Sequence, residues 1–183
     1  MDNYFCAENL FRVWDSVTVD LSFTATRGSM TVIVGKSGSG KSTVLRLIAG
    51  LEEPSGRNDR KECSITLGGK ELSKLAPGKR GIGMVFQSPA LFSHLTVAGN
   101  VAYALRCKGI GKKKAEAEAE KYIAEFALTD FGGRMPDTLS GGEAQRVSLA
   151  RTLIAKPPLV LFDEPLSSLD APLRKKLAYD IRK

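Results

Sequence analysis

Apolar and polar positions alternate along the first stretch of the chain and then give way to longer periods. From about Tyr4 to Phe23 the sequence reads as short β-like runs, clearest in Val17-Thr18-Val19-Asp20-Leu21-Ser22-Phe23, where every second residue is apolar. Arg27-Gly28 predicts a turn into the apolar run Thr31-Val32-Ile33-Val34, which reads as a buried strand. The segment Ser42-Thr43-Val44-Leu45-Arg46-Leu47-Ile48-Ala49 predicts a helix, and Pro54-Ser55-Gly56 a turn ahead of a strand at Ser64-Ile65-Thr66-Leu67. Lys112-Lys113-Lys114 opens an Ala/Glu/Lys helix to about Leu128. Its buried side is Tyr122, Ile123, Phe126 and Leu128; the pairs Lys114/Glu118 and Glu116/Glu120, one attractive and one repulsive, mark a solvated face. Ser140 is a natural N-cap for a helix with apolar positions at Val147, Leu149, Ala150, Leu153 and Ile154. Leu159-Val160-Leu161-Phe162 reads as a strand, and a last helix spans Leu173–Arg182.

The chemistry sits where these elements change type. Gly35-Lys36-Ser37-Gly38-Ser39-Gly40-Lys41-Ser42 fits the phosphate-loop pattern G-x-x-x-x-G-K-[ST], between a predicted strand and a predicted helix. Its glycines let backbone N–H groups turn inward around an anion, and the following helix adds the positive end of its dipole. Lys41 is placed to reach the β- and γ-phosphates of a nucleotide and the Ser42 hydroxyl to ligate Mg²⁺. The strand 159–162 ends in Asp163-Glu164. Asp163 suits a metal site, usually through water, and Glu164 is placed to polarise an attacking water. Leu139-Ser140-Gly141-Gly142-Glu143 opens the later helix and forms a second anion site. Taken alone, a Gly/Ser turn, an acidic strand end and a Ser-Gly-Gly loop are each common structural features.

Their order is what distinguishes them. Phosphate loop, Gln87, LSGGE, LVLFDEP and Ser167-Ser168-Leu169-Asp170 follow one another as in ATP-binding cassette proteins. The chain resembles the nucleotide-binding subunit of an ABC transporter along nearly its whole length, most closely importers of thiamine, iron(III) or polyamines, with sugar importers as near neighbours. The resemblance implies an α/β P-loop NTPase fold: one ATP-binding domain over residues 1–183, with an N-terminal antiparallel β region and an inserted helical subdomain at about 90–155. It implies ATP and Mg²⁺ as cofactors, with Gly35 through Thr43 around the phosphates and Ser42, Gln87 and Asp163 at the metal. Glu164 and Gln87 take the catalytic positions, Gln87 as the glutamine that contacts Mg²⁺ and water and senses the transmembrane partner. Ser140, Gly141 and Gly142 would bind the γ-phosphate held by a second subunit, and Asp170 would cross the dimer interface. Trp14 matches the aromatic that stacks on adenine; the other reading is a core tryptophan. Glu143 departs from the commoner glutamine, and Lys36 stands where proline is frequent. The charged segment Arg57–Glu62 resembles an insertion.

The family also calls for a histidine beyond Asp170, on a further strand. The one histidine, His94, precedes the signature and suits a packing or surface role. On this reading the chain is an N-terminal fragment, or the product of a truncated reading frame, that lacks its C-terminal strands and leaves a gap in a parallel sheet. The function implied is an ATP-hydrolysing subunit that powers import; the alternative is a non-catalytic fragment of one. The implied partners are a second ATP-binding subunit, transmembrane permease subunits and, indirectly, an extracytoplasmic substrate-binding protein. The implied location is peripheral, at the cytoplasmic face of the membrane.

Composition narrows the alternatives. The length of 183 residues suits one domain, and the net charge of +7 is spread through the chain without aromatic interleaving, so nucleic acid is not an expected partner. A chromosome- or repair-type ABC ATPase would need a long coiled coil between Gln87 and Leu139, and that interval is short. Three cysteines without CxxC spacing suggest neither a disulfide framework nor a zinc site, which fits a reduced setting. No apolar stretch approaches membrane-spanning length, and Met1-Asp2-Asn3 lacks the basic segment of a signal peptide.

Overall fold

A computed structural model describes residues 3–14, 17–55 and 62–165, in two compact units divided between Ile82 and Gly83. In the first unit, β1 (Asn3–Trp14) and β2 (Val17–Thr26) run antiparallel, paired from Asn3–Thr26 to Trp14–Val17. A register shift between Ala7 and Leu10 takes Asn9 to φ 53°, and its N–H donates to the Ser22 hydroxyl at 2.8 Å. On the other side of β1 lies β3 (Ser64–Leu67), antiparallel, and then β4 (Lys70–Glu71), giving the order β2-β1-β3-β4. Phe5, Ala7, Leu10, Val19, Ile65 and Leu67 are buried, as strand alternation requires.

α1 (Lys41–Ala49) buries Val44, Leu47, Ile48 and Ala49 on one stripe. It ends at Gly50 in the left-handed conformation; the Gly50 N–H returns to the Leu47 carbonyl and the Leu51 N–H to that of Arg46. The buried guanidinium of Arg80 then takes the carbonyls of Leu47 and Ile48 at 3.1 and 2.8 Å, and those of Leu75 and Ser73 at 2.9 Å each. Four carbonyls thus satisfy a cation that burial alone disfavours. Beside it, Glu71 accepts from the Ser64 and Ser73 hydroxyls and from the N–H groups of Ile65, Leu72 and Ser73. Desolvation raises its pKa, but the hydrogen bonds from Ser73, Ser64 and Ile65 outweigh it and bring it to about 2.

In the second unit, β5 (Ile82–Val85) pairs with β6 (Leu159–Phe162), and the Asp163 N–H continues the pairing to the Val85 carbonyl at 2.9 Å. Its α-helices among the described residues are α2 (Val97–Cys107), α3 (Lys112–Glu125) and α4 (Gly141–Leu153). Their core holds Val97, Val101, Leu105, Ile123, Val147 and Leu149 together with Val85 of β5. Phe126 and Leu128 are buried as expected, and Tyr122 is partly buried. The ion pairs on α3 are Lys112–Glu116 and Lys121–Glu118, on its exposed face.

α2 was not anticipated. Its signals were present in the Thr96 N-cap, whose hydroxyl accepts from the Gly99 N–H, and in the spacing of Val97, Val101 and Leu105. Asn100, fully buried, ties the preceding loop to it by donating to the carbonyls of Phe92, Leu95 and Thr96 and accepting from the Phe92 N–H.

One expected strand does not form. Thr31–Val34 is irregular and belongs to neither sheet, with Val32 72% and Val34 88% exposed. An apolar run becomes a strand only by hydrogen-bonding to a neighbour, and among the described residues none pairs with it. Residues 57–61 of the presumed insertion and the helix expected at 173–182 lie outside the described residues.

Candidate functional site

The phosphate-loop residues belong to the first unit. Here the chain turns through Gly35–Gly40 into α1, with the Ser39 N–H donating to the Lys36 carbonyl and the Val44 N–H to that of Gly40. Gly40 has φ 90°, and a Cβ there would lie 2.6 Å from the Val19 side chain; a Cβ on Gly35 would lie 2.6 Å from the Ser39 hydroxyl. Gly40 therefore disfavours a side chain on both counts, whereas at Gly35 a side chain would first have to displace the Ser39 hydroxyl. No side chain caps the N-terminus of α1, and no acidic residue lies in its first turn. Its own first turn carries no carboxylate, so its leading N–H groups and dipole suit an anion. The Lys41 ammonium folds back over the loop, donating to the carbonyls of Gly35 at 3.0 Å and Lys36 at 2.9 Å. This glycine cradle, with Lys41 on it and Ser42 and Thr43 in the first helical turn, fits a nucleotide's phosphates by the chemistry of its donors.

Trp14 ends β1 opposite Val17, partly buried, with the Arg12 guanidinium 5.2 Å above its ring. It is therefore not a fully enclosed core residue.

The second unit brings Gln87 and Glu164 together. Asp163 is buried (6% exposed) directly after β6, and Glu164 follows at φ 47°, a left-handed conformation that costs a residue with a side chain. That turn sends the Glu164 carboxylate toward Gln87, whose amide donates to Oε2 at 3.4 Å. Among the described residues no group of three His, Cys, Asp or Glu side chains is placed to hold a metal ion. Within the second unit, the Gln87 amide and the Asp163 carboxylate are oxygen donors of the kind Mg²⁺ takes, alongside phosphate and water oxygens.

Ser140 caps α4 in a reciprocal box. The Glu143 N–H reaches the Ser140 hydroxyl at 3.4 Å, while the Ser140 N–H and hydroxyl reach the Glu143 carboxylate at 2.7 and 2.8 Å. Those bonds, from the Ser140 backbone first and its side chain second, hold the Glu143 pKa below the ordinary carboxylate value. Gly141 stands in open space. His94 is exposed, its ring 6.1 Å from that of Phe92. Asp170 lies outside the described residues.

Sequence reasoning missed the side chains that reach back from α4. The Gln145 amide donates to the Phe86 carbonyl at 3.1 Å, and Arg151 donates to those of Ala90 and Pro89 at 2.9 and 3.1 Å. The signal was a glutamine and an arginine embedded in the helix's apolar pattern.

The family model described as ABC transporter matches residues 18–167. Among curated proteins, the chain is 44% identical to an Fe(3+) ions import ATP-binding protein of Agrobacterium fabrum, over 96% of this chain and 48% of that one. It is 42% identical to a spermidine/putrescine import ATP-binding protein of Pseudomonas aeruginosa, over 93% of this chain and 46% of the relative. An sn-glycerol-3-phosphate import ATP-binding protein of Agrobacterium fabrum is 46% identical, over 90% and 42%. The chain thus spans about half the length of the curated relatives it matches.

Proposed function

The chain belongs to the ABC transporter family, and from that premise we propose that it is the ATP-binding and ATP-hydrolysing part of an importer. The observation that carries this reading is the cradle of Gly35–Thr43 on the uncapped start of α1, with Lys41 folded over it. Relatives named for iron(III), polyamine and glycerol-phosphate import support the importer class. They differ in cargo at similar identity, so substrate choice is assigned to the permease and its binding protein.

When bound, Mg-ATP supplies a γ-phosphoryl group open to attack by water. Lys41 exchanges its two carbonyl partners for phosphate oxygens and balances their charge. Ser42, Gln87 and Asp163 are the residues that would hold its Mg²⁺. Glu164 takes the proton of the attacking water, and the Gln87 amide on Oε2 keeps that carboxylate oriented. Trp14, with Arg12 over its ring, stacks on the adenine. Ser140, Gly141 and Gly142 meet the γ-phosphate bound by a second subunit, with Asp170 at the same interface. No helix among the described residues is long and apolar enough to cross a membrane. On this reading the protein sits at the cytoplasmic membrane face through its permease, and binds no nucleic acid.

The test is Mg-ATP titration and phosphate release with the full-length protein. Lys41→Ala should abolish nucleotide binding with helix and strand content unchanged. Glu164→Gln should keep ATP, trap a dimer and slow turnover by at least about 10²-fold, the lower range for loss of a general base. Equal ATP affinity in wild type and Lys41→Ala would sink the phosphate-loop assignment.

A further inference from the structure

Among the described residues, the carbonyls flanking Gln87 that receive a side-chain donor receive it from α4. Thr152 donates to Met84 at 3.4 Å, Gln145 to Phe86 at 3.1 Å, and Arg151 to Pro89 and Ala90 at 3.1 and 2.9 Å. Gln87 lies inside this bracket, and its own side chain is left to reach Glu164. The same helix begins at Ser140–Gly142.

We infer that Gln145 and Arg151 are positioning residues that fasten the Gln87 loop to α4, so that the segment bearing Ser140–Gly142 and the Gln87–Glu164 contact shift as one piece. The inference rests on reading Gln87 and Glu164 as hydrolytic residues.

Two features separate this from ordinary packing. Gln145 is fully buried, and its Oε1 has no hydrogen-bond partner among the described residues; neither does the Ser148 hydroxyl one turn further along the same face. An apolar side chain of equal size would avoid that desolvation, so what the amide contributes is its N–H bond to Phe86. Arg151 uses two arms of a planar fork on successive carbonyls while its guanidinium lies 5.1 Å above the Phe92 ring. That grip fixes both the position and the direction of the loop at Ala90, whose φ of 46° is itself a strained conformation. On this inference the two residues bear on turnover through Gln87 and leave nucleotide binding alone.

The test uses the full-length protein with Gln145→Met, which keeps volume without the donor, and Arg151→Lys, which keeps charge without the fork. Amide hydrogen exchange without nucleotide should accelerate about tenfold or more across 86–91, with α1 unchanged. In ATP hydrolysis each variant should lose about tenfold or more in kcat with KM within about threefold, and neither should worsen Gln87→Ala when combined with it. Unchanged exchange across 86–91, or losses that add to those of Gln87→Ala, would overturn the inference. Should Gln145→Met not fold, Arg151→Lys carries both readouts. A wild type without ATPase activity would sink the proposed function, and the exchange experiment would then decide the fastening by itself.

Discussion

At Gly40 two constraints coincide: φ is 90°, and the Val19 side chain lies 2.6 Å from where a Cβ would stand. Gly38, at φ 77°, has open space around it and feels only the first. Gly38→Ala should therefore cost about 1–2 kcal/mol from the left-handed backbone alone. Gly40→Ala should cost clearly more, because Val19 must move as well; paired denaturant unfolding curves of the two variants check the order. Glu71 tests the electrostatics of the same unit. Its pKa falls from an ordinary 4.5 to about 2, so its stabilisation is complete above 4.5 and is lost as pH falls through about 2. Glu71→Gln, which cannot accept all the bonds that the carboxylate does, should be less stable at neutral pH. The gap to wild type should close as acid is added. A constant gap from neutral pH down to about 2 would show that the carboxylate's charge contributes nothing.

At the scale of elements, the two helix starts assigned to phosphate are built differently. α1 begins with no side-chain cap, whereas α4 begins with the Ser140–Glu143 box, which places a carboxylate on the N-terminal groups. Ser140→Ala should destabilise the second unit by about 1 kcal/mol, the usual cost of losing a serine cap, seen as a lower unfolding midpoint. The carboxylate also competes with any phosphate approaching Ser140. Glu143→Gln keeps the reach of the side chain but removes its charge, and should tighten ATP-dependent self-association in the full-length protein. Weaker association in that variant, measured by sedimentation at saturating ATP, would mean that the carboxylate assists the contact instead of opposing it.

For the molecule as a whole, ligand linkage gives the most direct reading. ATP at a hundred times its dissociation constant should stabilise the protein by about 2.7 kcal/mol, and Lys41→Ala should remove that gain. Thermal unfolding with and without Mg-ATP measures both. The exposed strip of Met30, Val32 and Val34 is a separate whole-molecule property. Replacing Val32 and Val34 with threonine in this chain should reduce light scattering while changing stability by no more than about 0.5 kcal/mol, as for exposed sites. A drop of several degrees in melting temperature would show that these side chains are buried after all.

What the sequence by itself determined was whatever depends on near neighbours along the chain. The phosphate loop, the Ser140 cap, the strands at Ser64–Leu67 and Leu159–Phe162 and the acidic pair after the latter were legible because their residues lie within a few positions of one another. The family followed from the order of those motifs. Tertiary structure decided the rest, where the partner is distant in sequence and no local pattern names it. Thr31–Val34 has the composition of a strand, but pairing is a property of two segments, and the described residues supply no second one. Arg80 looks like a surface cation until the fold lays the end of α1 against it. Gln87 and Glu164 stand 77 positions apart and meet because β5 and β6 pair, and the Glu164 backbone then turns left-handed to complete the contact. Gln145 and Arg151 read as helix residues, and only the packing of α4 beside the Gln87 loop gives their donors carbonyls to hold.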